Sequence, residues 1–142
     1  MNQSNQYLFA LSARILLASL FIVAGLNKMM NFQATAGFMA SAGVPLTSLL
    51  LVLTIVLELF AGTMILIGYH ARLAAALLVL FLIPVTLIFH NPLTATDPAM
   101  VQQQMNHLLK NLAIIGGLLH LMAFGSGAWR WPTEHDIPMQ EI

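Results

Sequence analysis

Three charged side chains lie inside long apolar stretches of this chain: Arg14, Glu58 and Lys110. A charged group at the centre of a bilayer costs about 2.5–3.5 kcal/mol on insertion scales, so each of them requires a partner or a function. Glu58 lies deepest, about 16 Å from either end of its stretch at the helical rise per residue, and its carboxylate must be protonated, hydrated or paired there. Arg14 lies about 10 Å inside its own stretch. We therefore expect Arg14 to pair with Glu58, with Lys110 within reach from the opposite end.

These three residues permit two interpretations. A buried ion pair can hold two helices in register without any chemistry. Alternatively, Glu58, Arg14 and Lys110 form a candidate catalytic site that polarises a bound ligand and relays its proton. The residue types alone leave both interpretations open.

A second polar set lies at the ends of the same stretches: Lys28, His90, His107 and Asn111. Their positions place them, with Lys110, at one face of the membrane. We expect them to bind a polar headgroup at the mouth of a cavity that leads to Glu58. Two histidines could contribute to a metal site, but the sequence offers no third ligand beside them, so no metal site is predicted. The chain shows no haem or iron–sulfur pattern and no flavin motif, whereas a quinone is compatible with an apolar pocket.

Composition defines the elements that must position these residues. Hydrophobic residues make up 59% of the 142 residues and charged residues 7%, whereas a soluble domain has roughly 45–50% and 25%. The chain is therefore predicted to be an integral membrane protein embedded in the lipid bilayer. A net charge of zero without a basic run excludes nucleic-acid binding. The absence of cysteine excludes thiol chemistry by this chain.

Four apolar stretches are each long enough to cross the hydrocarbon core: residues 7–27, 47–69, 72–89 and 108–124. They predict one all-α domain over residues 1–142, an integral membrane four-helix bundle. Between the first two, residues 31–45 predict a short interfacial helix that begins after Asn31 and ends at Gly43 and Pro45. Residues 90–106, which contain two prolines and three glutamines, predict a polar loop.

The even number of spans places both termini on the same side of the membrane. The end that holds the termini contains Arg14, Arg72 and Arg130, against Lys28 and Lys110 at the other end. By the positive-inside rule this difference favours cytoplasmic termini.

The same residues resemble a known family. The opening Gly25-x-x-Lys28-Met29-x-x-Phe32, the later Phe89-His90 and the run Lys110-Asn111-Leu112-Ala113-Ile114-x-Gly116-Gly117 look like motifs of DoxX proteins. Further matching positions are Arg14, Gly43, Pro45, Glu58, Gly62, Gly68 and Arg72. The resemblance extends from residue 11 to about residue 129 and implies a small bacterial inner-membrane protein with four transmembrane helices.

The resemblance also implies a function. Members are linked to membrane oxidoreductase assemblies, so this chain is predicted to be a subunit or accessory that binds quinone, quinol or a similar apolar ligand. Its electrons would then come from a redox partner protein. Assembly of several copies of this chain into a homo-oligomer is compatible with that role. The fold is similar to that of four-helix quinone-reducing thiol enzymes, but their thiol mechanism cannot apply to a chain without cysteine. The alternative is a non-enzymatic membrane scaffold or lipid-binding protein whose buried charges are structural.

Overall fold

Five α-helices and a single 3-10 turn form the part of the chain that the computed structural model describes, residues 2–95, 97–127 and 129. The helices are α1 (Gln3–Met30), α2 (Phe32–Ser41), α3 (Thr47–Ile67), α4 (Ala71–Phe89) and α5 (Pro98–Phe124), and the turn is Pro92–Thr94. Of these, α1, α3, α4 and α5 are long and apolar enough to cross a membrane. The all-α, four-helix prediction is confirmed, whereas Arg130 lies outside the described residues.

A tight turn joins α3 to α4. Gly68 ends α3 with a φ of 76°, and its N–H and that of Tyr69 donate to the carbonyl oxygens of the last turn of α3. His70 also adopts positive φ, at 42°. The left-handed conformation reverses the chain within three residues, so α3 and α4 form an antiparallel hairpin, as the short connection predicts.

The polar-loop prediction for residues 90–106 is wrong from residue 98 onward, because α5 begins at Pro98. The Asp97 carboxylate accepts a hydrogen bond from the Met100 N–H at 3.2 Å, and Pro98 occupies the first helical position. Both are favourable at a helix start. Glutamine is also a good helix former, so the polar residues extend the predicted span by nearly three turns instead of forming a loop.

The helices alternate in direction, which gives the bundle two distinct ends. The C-termini of α1 and α4, the N-termini of α3 and α5, and all of α2 lie at one end, which we call the α2 end. The opposite end, the terminal end, holds the start of α1 and the close of α5. Helix α1 packs mainly on α3, and α4 packs on both α3 and α5, whereas α1 and α5 touch only sparingly.

Two glycines permit the close approach of α1 and α3. A Cβ atom on Gly25 would lie 2.9 Å from Leu59 Cδ2, and one on Gly62 would lie 3.0 Å from Ile22 Cγ1. Larger residues would therefore push the helices apart. This contact sets the register in which Gly25 faces Glu58, whose Cβ lies 3.4 Å from the same position.

Candidate functional site

A cavity of about 680 Å³ lies at the α2 end of the bundle. The main hydrophobic core packs the helices together toward the terminal end. All five helices contribute to the wall of the cavity, which is largely apolar. Phe38 and Met39 of α2 cover it on one side, a contribution of the short helix that the sequence analysis did not foresee. The polar side chains on its wall are Lys28, Thr35, Thr54, Glu58, His90, Lys110 and Asn111.

An ion pair between Lys28 and Glu58 lies on this wall. Lys28 Nζ donates to both carboxylate oxygens of Glu58 at 2.9 Å. The Glu58 side chain is only 5% exposed, whereas that of Lys28 is 28% exposed. Because Gly25 precedes Lys28 by one helical turn and faces α3, the lysine side chain can reach the carboxylate across the helix contact.

The predicted pairing of Arg14 with Glu58 is therefore wrong. Arg14 is buried near the terminal end, where its Nη1 donates to the Ser126 carbonyl oxygen at 2.9 Å and its Nη2 to the Trp129 carbonyl oxygen. In the observed register Gly25 faces Glu58, and Arg14 lies eleven residues earlier on α1, or about 16 Å along the helix. The depth of Arg14 along its own helix does not include this shift of α1 against α3.

The segment after α5 provides the partners of Arg14. Gly125 leaves the helix with a φ of 76°, and the chain then folds against the α3–α4 turn, where Ser126 Oγ donates to the Gly68 carbonyl oxygen at 3.4 Å. Arg14 and His120 also line a second cavity of about 670 Å³ at this end. Arg14 consequently belongs to a structural contact between α1 and the segment that follows α5, away from the cavity that contains Glu58.

Two stacked histidines lie at the mouth of the first cavity. The rings of His90 and His107 have centroids 4.8 Å apart and an interplanar angle of 26°. His90 Nδ1 lies 3.3 Å from Gln104 Oε1, and Lys110 Nζ lies 3.4 Å from His107 Nδ1. Burial lowers the pKa of His90, the nearby charges of His107 and Lys110 lower it further, and the Gln104 hydrogen bond opposes the shift. His90 lines the cavity, whereas His107 lies beside it and contacts Lys110.

These histidines do not complete a metal-binding cluster within the described part of the chain, where no group of three or more His, Asp or Glu side chains is suitably close.

A buried hydrogen-bonded pair connects α4 and α5 at the same cavity. Asn111 Nδ2 donates to Thr86 Oγ1 at 2.9 Å, and the Thr86 hydroxyl donates to the Leu82 carbonyl oxygen at 2.6 Å. The sequence analysis selected Asn111 but missed Thr86. The available signal was a polar residue in a helix that is otherwise apolar after Arg72, two positions after Pro84.

The structure therefore brings together five of the seven predicted site residues on one cavity: Lys28, Glu58, His90, Lys110 and Asn111. His107 adjoins them, and Arg14 does not.

Comparison with known proteins identifies a matching family and two similar proteins. The family model described as DoxX matches residues 9–91. The chain is 34% identical over 118 residues to the inner membrane protein YphA of Escherichia coli (strain K12), which covers 83% of this chain and 84% of that protein. It is also 34% identical over 119 residues to the inner membrane protein YqjF of the same organism, covering 84% and 85%. No solved structure matches significantly. Lys28, Glu58 and His90 fall within the matched family segment, whereas Lys110 and Asn111 lie beyond it.

Proposed function

The chain is an inner membrane protein that belongs to the DoxX family, and from that premise we propose that it binds a quinone or quinol in the cavity at the α2 end, as a subunit or accessory of a membrane oxidoreductase. The observation that carries this proposal is the Lys28–Glu58 ion pair on the largely apolar wall of a cavity of about 680 Å³. Sites for small apolar ligands combine such walls with a few polar groups that orient the ligand.

The ion pair supplies a hydrogen-bond donor for the oxidised quinone and an acceptor for the hydroxyl of the reduced quinol. The ammonium of Lys28 can donate to a ring oxygen, and the carboxylate of Glu58 can accept a proton from the reduced ligand. Lys110 is exposed and His90 is half-buried, so both can pass a proton between the cavity and water. In this proposal Lys28 takes the place that the sequence analysis assigned to Arg14.

The chain contains no cysteine, and its sequence shows no haem, iron–sulfur or flavin motif. Electrons for the quinone must therefore be exchanged with another protein. The proposal therefore includes a membrane-bound redox partner, with this chain as the component that holds the quinone.

The test is binding to the purified, full-length protein in lipid nanodiscs. Mass spectrometry of copurified small molecules should detect quinone, and titration with decylubiquinone should show saturable binding. Glu58→Gln and Lys110→Met, prepared as folded protein, should each weaken that binding at least tenfold. Gln102→Met, which alters an exposed position of the same helix α5 outside the cavity, should leave it unchanged.

Two results would contradict the proposal. One is copurified phospholipid alone, with no saturable quinone binding. The other is unchanged quinone affinity in both cavity variants. Either result would favour the alternative, a scaffold or lipid-binding protein whose buried charges are structural.

A further inference from the structure

Asn111 leaves a hydrogen-bond acceptor on the cavity wall. It lines the cavity and is 6% exposed. Its Nδ2 donates to Thr86 Oγ1, and within the described residues no donor is hydrogen-bonded to its Oδ1. The oxygen is not sealed inside the core, because no asparagine oxygen among the described side chains is fully buried without a hydrogen bond. Asn111 Oδ1 is therefore accessible on the cavity wall, where a donor on the cavity's occupant can reach it.

Thr86 determines which end of the Asn111 amide faces it and which end stays available to the cavity. A threonine hydroxyl has one proton to donate, and here it is directed to the Leu82 carbonyl oxygen at 2.6 Å. The Thr86 oxygen can then only accept from Asn111, so the amide must present its NH₂ group to Thr86 and keep its carbonyl oxygen available. The buried pair between α4 and α5 thus fixes an acceptor at this position.

The second acceptor on the wall is the Glu58 carboxylate, which is held by Lys28. The remaining cation, Lys110, is exposed and contacts His107 at the mouth. The wall therefore presents two acceptor groups, on Asn111 and Glu58, whereas its donors belong to other side chains, among them Lys28, Thr54 and Lys110.

We propose that Asn111 makes the cavity selective for the hydroxylated, reduced form of its ligand, a quinol or another phenol, over the keto form. This inference rests on the proposed function and adds the oxidation state that the site prefers. A phenolic hydroxyl donates to Asn111 Oδ1. A quinone carbonyl has no proton to donate and would leave two acceptor oxygens facing each other.

The expected discrimination is about tenfold, because the net gain from one hydrogen bond corresponds to roughly that factor in affinity. Sites that hydrogen-bond a substrate hydroxyl reject analogues without it for the same reason. Asn111 is therefore a specificity-determining residue.

The experiment compares the two forms directly. Decylubiquinol and decylubiquinone are titrated anaerobically into the wild-type protein in nanodiscs, alongside a redox-inert pair, 4-nonylphenol and its methyl ether. The hydroxylated member of each pair should bind about tenfold more tightly. Asn111→Leu should reduce both ratios to about one, and Thr86→Val, which frees the amide to rotate, should reduce them as well. Asn106→Leu, an exposed position on the same helix, should preserve them.

The outcomes separate the inference from the function on which it rests. Equal affinity for both members of each pair, or tighter binding of the keto form, overturns the selectivity while leaving quinone binding intact. Absence of binding for either form overturns both. If Asn111→Leu fails to fold, the wild-type ratios and the phenol–ether pair still decide the question.

Discussion

Removal of Lys28 should destabilise the protein more than removal of its partner, because the two members of the ion pair differ in exposure. Glu58 is 5% exposed, so Lys28→Met leaves a carboxylate buried without its cation. Breaking a buried pair in this way costs about 3–5 kcal/mol. Glu58→Gln leaves Lys28, which is 28% exposed and lies in the last turn of α1, where its ammonium can turn toward water or lipid headgroups. That loss should be about 1–2 kcal/mol, the value of a hydrogen bond to a charged group.

The double variant Lys28→Met/Glu58→Gln contains neither charge. Its loss should be close to that of Glu58→Gln alone, so the two single effects should be non-additive by about 3–5 kcal/mol, the full cost of Lys28→Met. For a chain of this length, each kcal/mol corresponds to roughly 2–4 °C in melting temperature. The expected decreases are therefore about 6–20 °C for Lys28→Met and about 2–8 °C for Glu58→Gln and the double variant.

Thermal unfolding in one detergent, followed by fluorescence, measures all four proteins. Lys110→Met is the matched control, since this lysine is exposed and its one side-chain hydrogen bond among the described residues is to the His107 ring. It should change the melting temperature little. Additive single effects, or a larger loss for Glu58→Gln than for Lys28→Met, would refute the reasoning that the carboxylate is the buried member that depends on its cation.

Three further predictions concern packing, pH and orientation. Gly25→Ala should destabilise the protein by about 1–3 kcal/mol, because its Cβ would lie 2.9 Å from Leu59. Gly116→Ala meets no atom within 4 Å and should stabilise α5 by up to about 1 kcal/mol; equal melting temperatures for the two variants would contradict this packing. Since the pKa of His90 is lowered in the fold, the unfolded chain binds more protons, and stability should fall as pH decreases through the ordinary histidine value near 6.5. His90→Asn should flatten that dependence in melting curves recorded from pH 7.5 to 5, whereas an unchanged slope would assign the effect to other groups. Finally, we expect both termini to lie in the cytoplasm. Activity of a C-terminal reporter that works only in the periplasm would contradict this orientation.

The apolar composition and the four long stretches were sufficient to predict a membrane protein with four long helices. Helix alternation also follows from the sequence, and it places Lys28, His90, His107 and Lys110 at one end without knowledge of the packing. The start of α5 was missed because the glutamine-rich segment is polar. Polarity shows that a segment is hydrated, but it does not distinguish a loop from a capped helix.

The partner of Glu58 could be decided only by the tertiary structure. Helical rise gives the depth of each charge along its own helix, and by depth alone Arg14 lies nearer the level of Glu58 than Lys28 does. The choice depends on how α1 is shifted and rotated against α3, which the close contacts at Gly25 and Gly62 determine. The Asn111–Thr86 pair depends in the same way on the register between α4 and α5. The sequence by itself identifies the charged and polar residues whose burial in lipid is unfavourable. The partner that stabilises each of them is determined by contacts between helices that are distant in the chain.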